Sequence, residues 1–215
     1  MDIGSFKAMY FAELQELANA EGQLAKLLLR LVQAASHPSL KNAFVNQQQN
    51  TEVQKEKLES VLRSHGANPR MHTDQAMQAL VSETEKMLRI VKDKNLRDAG
   101  LIASTQKLKH YEIAAYGTAA ALAGQLGFRD DQVLLHSGLE DKKQADKVLT
   151  QLAKYEINQD AIRVNSSERG NTILKFDMNE WNNAKLCDVQ SDSRSDNELA
   201  DKGFLVTGAA IHAAA

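Results

Sequence analysis

Apolar residues recur along this chain at alternating steps of four and three. The first series is Tyr10, Leu14, Leu17, Glu21, Leu24, Leu28, Leu31 and Ala35. The second is Leu40, Phe44, Gln47, Thr51, Gln54, Leu58 and Val61. A shorter series runs through Met77, Leu80, Thr84, Met87 and Val91, and a fourth through Leu101, Thr105, Leu108, Glu112, Ala115, Ala119, Leu122 and Leu126. The last is Leu135, Leu139, Lys142, Asp146, Leu149 and Ala153. Such spacing keeps one stripe of a helix facing a neighbour, as in bundles and coiled coils. It predicts long helices over about 5–35, 38–65, 95–126 and 130–157, with a shorter one over 73–92.

The punctuation agrees with these limits. Pro38 suits the first turn of a helix, and Gly66 and Gly127 are placed to end one. Thr73 or Asp74 can cap the short helix. Asn95 with Asp98 resembles a capping box, and Asp130 or Asp131 can open the last helix. From about Arg163 the stripe stops, and Asn, Ser, Asp and Gly dominate. The domain reading is therefore a helical bundle over 1–162 and a polar, acidic, partly disordered tail over 163–215. Within the tail, residues 172–176 and 203–206 could be short strands or docking segments.

Composition narrows the class. The chain has 215 residues, 43% hydrophobic but only 5% aromatic, with two prolines, which favours helices. Lys+Arg 26 against Asp+Glu 28 gives a net charge of -2 with no like-charge block. Neither nucleic acid nor an anionic membrane is indicated as a partner. A single cysteine, Cys187, allows no internal disulfide. With no signal-peptide layout and no apolar run near ~18 residues, a soluble cytoplasmic protein is expected.

The polar interruptions carry the chemistry. Each long helix places charged or amide residues at mid-seam: Glu21; then Gln47, Thr51 and Gln54; then Glu112; then Lys142 and Asp146. Asn50 and Lys109 flank the seams. If the helices pack antiparallel, these residues fall at similar depth and form one layer. A lone buried carboxylate costs several kcal/mol unless paired or metal-bound, so Glu112 must meet a cation.

The chain resembles the YciF-type (YciE/YciF) ferritin-like proteins of bacteria, a family associated with stress responses. The resemblance rests on Ala20-Glu21-Gly22-Gln23-Leu24, on Asp98-Ala99 and Leu101-Ile102-Ala103, and above all on Gln106-Lys107-Leu108-Lys109-His110-Tyr111-Glu112-Ile113-Ala114 with Tyr116-Gly117. Leu126-Gly127-Phe128, Leu134-Leu135 and Ala145-Asp146 extend it over roughly residues 3–157. It implies an all-α ferritin-like antiparallel four-helix bundle, with a helical crossover between the second and third long helices, and a homodimer. It also implies a di-iron or di-manganese site whose ligands map onto Glu21, Asn50, Lys109, Glu112, Lys142 and Asp146. Three of those carboxylate positions hold Asn50, Lys109 and Lys142, and no Glu-x-x-His occurs. Ammonium groups repel a metal ion, so a degenerate site is expected in which Lys109 and Lys142 balance Glu21, Glu112 or Asp146. Gln47, Thr51, Gln54 and His110 would surround it, Asn50, Gln47 and Gln54 completing the hydrogen bonds, while Lys109 could instead reach solvent. No cofactor and no catalytic residue are expected; if one ion binds, Glu21, Glu112 and Asp146 would hold it. Tyr10, Tyr111 and Tyr116 read as rim aromatics with surface hydroxyls. The function that follows is a non-catalytic, stress-associated structural or interaction protein, with an unknown protein partner as the tail's expected role. The alternative is a ferroxidase or peroxide-consuming enzyme using iron or manganese.

Overall fold

The computed structural model describes residues 3–167. The tail beyond, with residues 172–176, 203–206 and Cys187, lies outside the described residues. The helices are α1 (Phe6–Ala34), α2 (Pro38–Ser64), α3 (Gln75–Ile90), α4 (Lys94–Gln125), α5 (Arg129–Leu152) and α6 (Asn158–Ser167). A single π-helical turn, Ala153–Ile157, joins the last two.

The four long helices form an all-α antiparallel bundle. A tight link at 35–37 makes α1 and α2 a hairpin, and one at 126–128 does the same for α4 and α5. Helix α3 carries the chain back along α1 and α4. As a result α4 starts beside the α1–α2 link, where Asp98 accepts hydrogen bonds from the amides of Ser36 at 2.9 Å and His37 at 2.7 Å. It ends at the opposite pole, where Asp131 meets Tyr10 and His65. The crossover thus sets α4 parallel to α2 and antiparallel to α1.

Local chemistry explains most of the ends. The Ser5 hydroxyl accepts from the Ala8 amide at 3.0 Å, and the Asp74 carboxylate from the Met77 amide at 2.8 Å. Gly66 and Gly127 adopt φ of 72° and 75°, the left-handed geometry that glycine reaches without a Cβ penalty. Two expected caps differ. The cap of α4 is Asp93, which takes the amides of Asn95 and Leu96, because Asp98 is drawn across to the α1–α2 link. Helix α5 has no side-chain cap; Asp131 is instead buried between Tyr10 and His65. The last helix also runs further than the sequence suggests, since Ile157 and Ala161 are buried and the chain stays helical to Ser167.

Every position of the α2 series is buried, and so are Tyr10, Leu14, Leu17, Glu21, Leu24, Leu28 and Leu31 of α1. Full burial of a leucine contributes about 1.5–3 kcal/mol, so these stripes dominate the stability. The apolar core falls into two clusters. One gathers Leu24, Leu28, Leu31, Phe44, Leu108 and Leu149. The other gathers Tyr10, Leu14, Leu17, Leu58, Ala120 and Leu135. Between them along the bundle lie the polar seam residues.

Asp98→Ala removes the acceptor of two amides at the head of α2, those of exposed Ser36 and half-buried His37. A fully buried orphan costs about 1–3 kcal/mol, so with solvent near Ser36 urea unfolding should show a loss at the lower end of that range with an unchanged slope. A loss below about 0.5 kcal/mol would mean that solvent replaces the carboxylate.

Candidate functional site

Helix α4 carries Lys109, Glu112 and Tyr116 at steps of three and four, which stack on one face. Helix α1 sets Glu21 opposite them, and α5 adds Lys142. The Lys142 ammonium lies 2.7 Å from Glu21 Oε1, 2.9 Å from its Oε2 and 2.7 Å from Glu112 Oε1. The last approach is off the hydrogen-bonding direction and acts as a charge contact. Lys109 donates to Glu112 Oε2 at 2.7 Å, and the Tyr116 hydroxyl to Glu21 Oε1 at 2.5 Å. The chain of contacts therefore runs Tyr116–Glu21–Lys142–Glu112–Lys109. Two carboxylates meet two ammonium groups, and the layer is neutral.

None of these five residues is more than 3% exposed. Their environment sets their protonation. Burial pushes the Lys109 ammonium below its ordinary value despite Glu112. Burial also holds Glu21 up, aided by the Glu112 charge and opposed by Lys142. Glu112 is different: burial raises it, yet Lys109 and Lys142 together hold it below the usual carboxylate value. Lys142, desolvated but touching two carboxylates, is held up. The Tyr116 phenol is raised by burial and by Glu21, and stays protonated.

Gly138 makes the layer possible. It lies one turn before Lys142, and a methyl group there would overlap the Tyr116 ring. Without a side chain at 138, Tyr116 can lie flat beneath the Lys142 ammonium, 5.4 Å from its ring centroid.

Several expected members lie elsewhere. Asn50 is exposed, because it precedes Thr51 by one residue and so points about 100° away from the seam. Asp146 is half-buried, accepting from Gln106 at 3.3 Å and facing His110 at 3.6 Å. It sits one turn beyond Lys142, at the flank of α4, and meets neither Glu21 nor Glu112. His110 is on the outer side of α4 with its side chain 69% exposed. Lys109 does not reach solvent. Gln47 is buried with neither amide atom bonded to protein, and Gln54 donates to Asp141 at 2.7 Å, so neither completes the layer. Thr51 is buried on the same stripe.

The three tyrosines also differ from the rim reading. Tyr10 donates to Asp131 at 2.9 Å and Tyr111 to Asp74 at 2.7 Å, while Tyr116 joins the layer. The available signal for Tyr116 is its position four residues after Glu112, which shares a face. Nothing in the spacing identifies its acceptor.

This donor set does not fit a metal centre. A divalent ion needs carboxylate oxygens or imidazole nitrogens turned towards it. Here all four oxygens of Glu21 and Glu112 already face an ammonium or a phenol. The set Glu21, Glu112 and Asp146 is not assembled, and among the described residues no three His, Cys, Asp or Glu side chains converge.

The family profile described as "Domain of unknown function (DUF892)" matches residues 5–162. Protein YciF of Escherichia coli (strain K12) is 36% identical over 163 residues, covering 75% of this chain and 98% of that protein. The crystal structure of the E. coli stress protein YciF superposes with a TM-score of 0.69 at 35% identity, over 73% of this chain and 99% of that one. YcfI of Rhodopseudomonas palustris, described as a proposed structural protein, gives 0.67 at 30% identity, over 69% and 95%.

Lys142→Met takes the only ammonium from buried Glu21 and one of two from Glu112, which keeps Lys109. Breaking a buried pair from one side costs about 3–5 kcal/mol, against about 1 or less for an exposed pair. The loss should be largest near neutral pH and shrink in acid, where Glu21 takes up a proton. In the unmutated protein the signs differ by group. Glu112, held low, stabilises above its ordinary 4.5, and that contribution is lost as pH falls through its lowered value. Lys142, held high, stabilises fully below its ordinary 10.5, and its contribution drains as pH rises from there through the raised value. Denaturation midpoints against pH should therefore lose part of the alkaline decline in Lys142→Met; an identical alkaline limb would contradict the assignment.

Proposed function

This chain belongs to the DUF892 family of YciF-like proteins, and from that premise we propose that it is a non-catalytic, stress-associated structural or interaction module. Its polar layer stands where ferritin-like relatives of the resembling kind hold a di-metal site, and here it is a fixed lock between helices. The single observation that carries this reading is the neutral chain Glu21–Lys142–Glu112–Lys109, in which the two lysines supply the positive charge that metal ions would otherwise bring.

The chemistry of the layer supports it. A catalytic carboxylate needs an open lone pair and a route for substrate; Glu21 and Glu112 are fully buried and engaged on both oxygens. A nucleophilic amine needs access, and Lys109 is 1% exposed. The relatives' own descriptions, a stress protein and a proposed structural protein, lie in the same direction. No described helix is long and apolar enough to cross a membrane. Action in the cytoplasm as a homodimer completes the proposal, on the family resemblance.

Anaerobic loading with ferrous iron, followed by desalting, tests it. The purified protein should retain clearly less than one iron per chain, whereas retention near two irons with an oxo-bridged absorption band would establish the ferroxidase alternative. The converse experiment is Lys109→Glu with Lys142→Glu. Four acids in one layer should destabilise the metal-free variant, and manganese should then raise its melting midpoint, since a ligand bound only by the folded state stabilises it. Unchanged melting with manganese would show that the layer lacks the geometry of a metal site altogether.

A further inference from the structure

Beside α1, a groove of about 350 Å3 lies between α1, α2 and the 69–73 loop. Its floor is Ala18 and Gly22, one turn apart on α1. Its cationic side chains are Lys26 of α1, Lys55 of α2 and Arg70 of the loop; His72 also lines it, and its one carboxylate is Glu59. Glu59 is already engaged by Arg63 at 3.1 Å. Lys26, Lys55 and Arg70 make no ion pair among the described residues. Outside the groove, His72 faces Glu16 at 3.9 Å.

The wall is built rather than draped. Gln15 donates to the Asn68 carbonyl at 2.6 Å, and Gln23 to the Asp74 carbonyl at 2.9 Å. The Asn19 side-chain oxygen accepts from the Asp74 amide at 3.0 Å and from Gln23 at 2.7 Å. At the far end, Tyr111 donates to the Asp74 carboxylate at 2.7 Å. The backbone of the loop that carries Arg70 and His72 is thus clamped to α1 at both ends, which fixes where those side chains leave the chain.

Gly22 adds an independent sign. Glycine within a helix is disfavoured relative to alanine, and a close neighbour at the Cβ position accounts for it at Gly100, Gly124 and Gly138 but not at Gly117. At Gly22 a Cβ would meet only the Lys55 tail, at 3.6 and 3.7 Å, an ordinary contact. Packing within this chain does not call for a glycine at 22. What the missing side chain leaves open is the floor of the groove.

We propose that this groove binds a small organic polyanion, a molecule with two or more phosphate or carboxylate groups, held by Lys26, Lys55 and Arg70 with its body over Gly22. The volume suits such a molecule: it lies at the lower end of small-molecule sites, about 300–1,000 Å3, and exceeds a single phosphate. Charge-assisted hydrogen bonds from several cations favour an anion over a neutral ligand of the same size. The site shares no residue with the ion-pair layer, so its occupancy is separate from the structural role proposed above.

Isothermal titration of the full chain tests it, with ADP as the phosphate probe and citrate as the carboxylate probe. At least one should bind at one site per chain, and which one binds identifies the anion. Lys26→Ala with Arg70→Ala should weaken that affinity about tenfold or more, about 1.4 kcal/mol, with no change in helical signal. Gly22→Leu, which keeps every charge, should abolish binding, while Gly22→Ala leaves the protein at least as stable. Lys107→Ala, an exposed charge removed elsewhere, should bind as the unmutated chain does. Failure of both probes to bind at millimolar concentration overturns the proposal. So does binding that the double variant leaves intact, or that Lys107→Ala weakens as much.

Discussion

A carboxylate in a dry helix bundle has to find positive charge, and this chain sets two of them, Glu21 and Glu112, between two apolar clusters. Everything around the midpoint follows from that constraint. The compensating cations are lysines from α4 and α5. Lys142, anchored on a different helix from either acid, ties α1, α4 and α5 into one network. Tyr116 completes Glu21, and Gly138 makes room for Tyr116. Buried ion pairs are weak contributors to net stability, because desolvation offsets most of their attraction. Their effect is on uniqueness: sliding one helix by a turn would leave a charge facing leucine. The layer disfavours such a shift, while the leucine stripes above and below supply most of the free energy.

Much of the frame was legible in the chain itself. The four-three spacing located all five main helices, because burying one stripe against a neighbour is the same physics in every bundle. Polar residues at mid-seam marked the depth of the layer, and Glu21, Lys109, Glu112 and Lys142 meet there. What stayed hidden depends on which partner wins a group that could bond locally. Asp98 and Asp131 both look like caps of their own helices, yet tertiary contacts take them, to the α1–α2 link and to the Tyr10–His65 pair. Asn50 and Asp146 aligned with ligand positions through family resemblance, but a one-residue offset turns the first outward, and a full turn takes the second past the acids. Tyr116 was missed because a tyrosine beside a seam reads equally well as a rim residue.

The departures from a metal-binding pattern are mutually consistent. A lysine where a metal site would need a carboxylate both withholds a ligand and supplies positive charge. With Lys109 and Lys142 present, Glu21 and Glu112 keep their charge partners without any ion. This accounts for a retained bundle and retained buried acids in a family whose described members include a stress protein and a proposed structural protein. The basic groove beside α1 shares no residue with the layer.

The central claim is that Lys142 and Glu21 stabilise each other as charges within one buried layer. A double-mutant cycle in urea, built from Lys142→Met, Glu21→Gln and their combination, measures that coupling directly. The account predicts that the double variant is markedly less destabilised than the two single losses added together, with a coupling of about 1.5–3 kcal/mol. Losses that add to within about 0.5 kcal/mol would contradict it, and would mean that the two residues are neighbours without being partners.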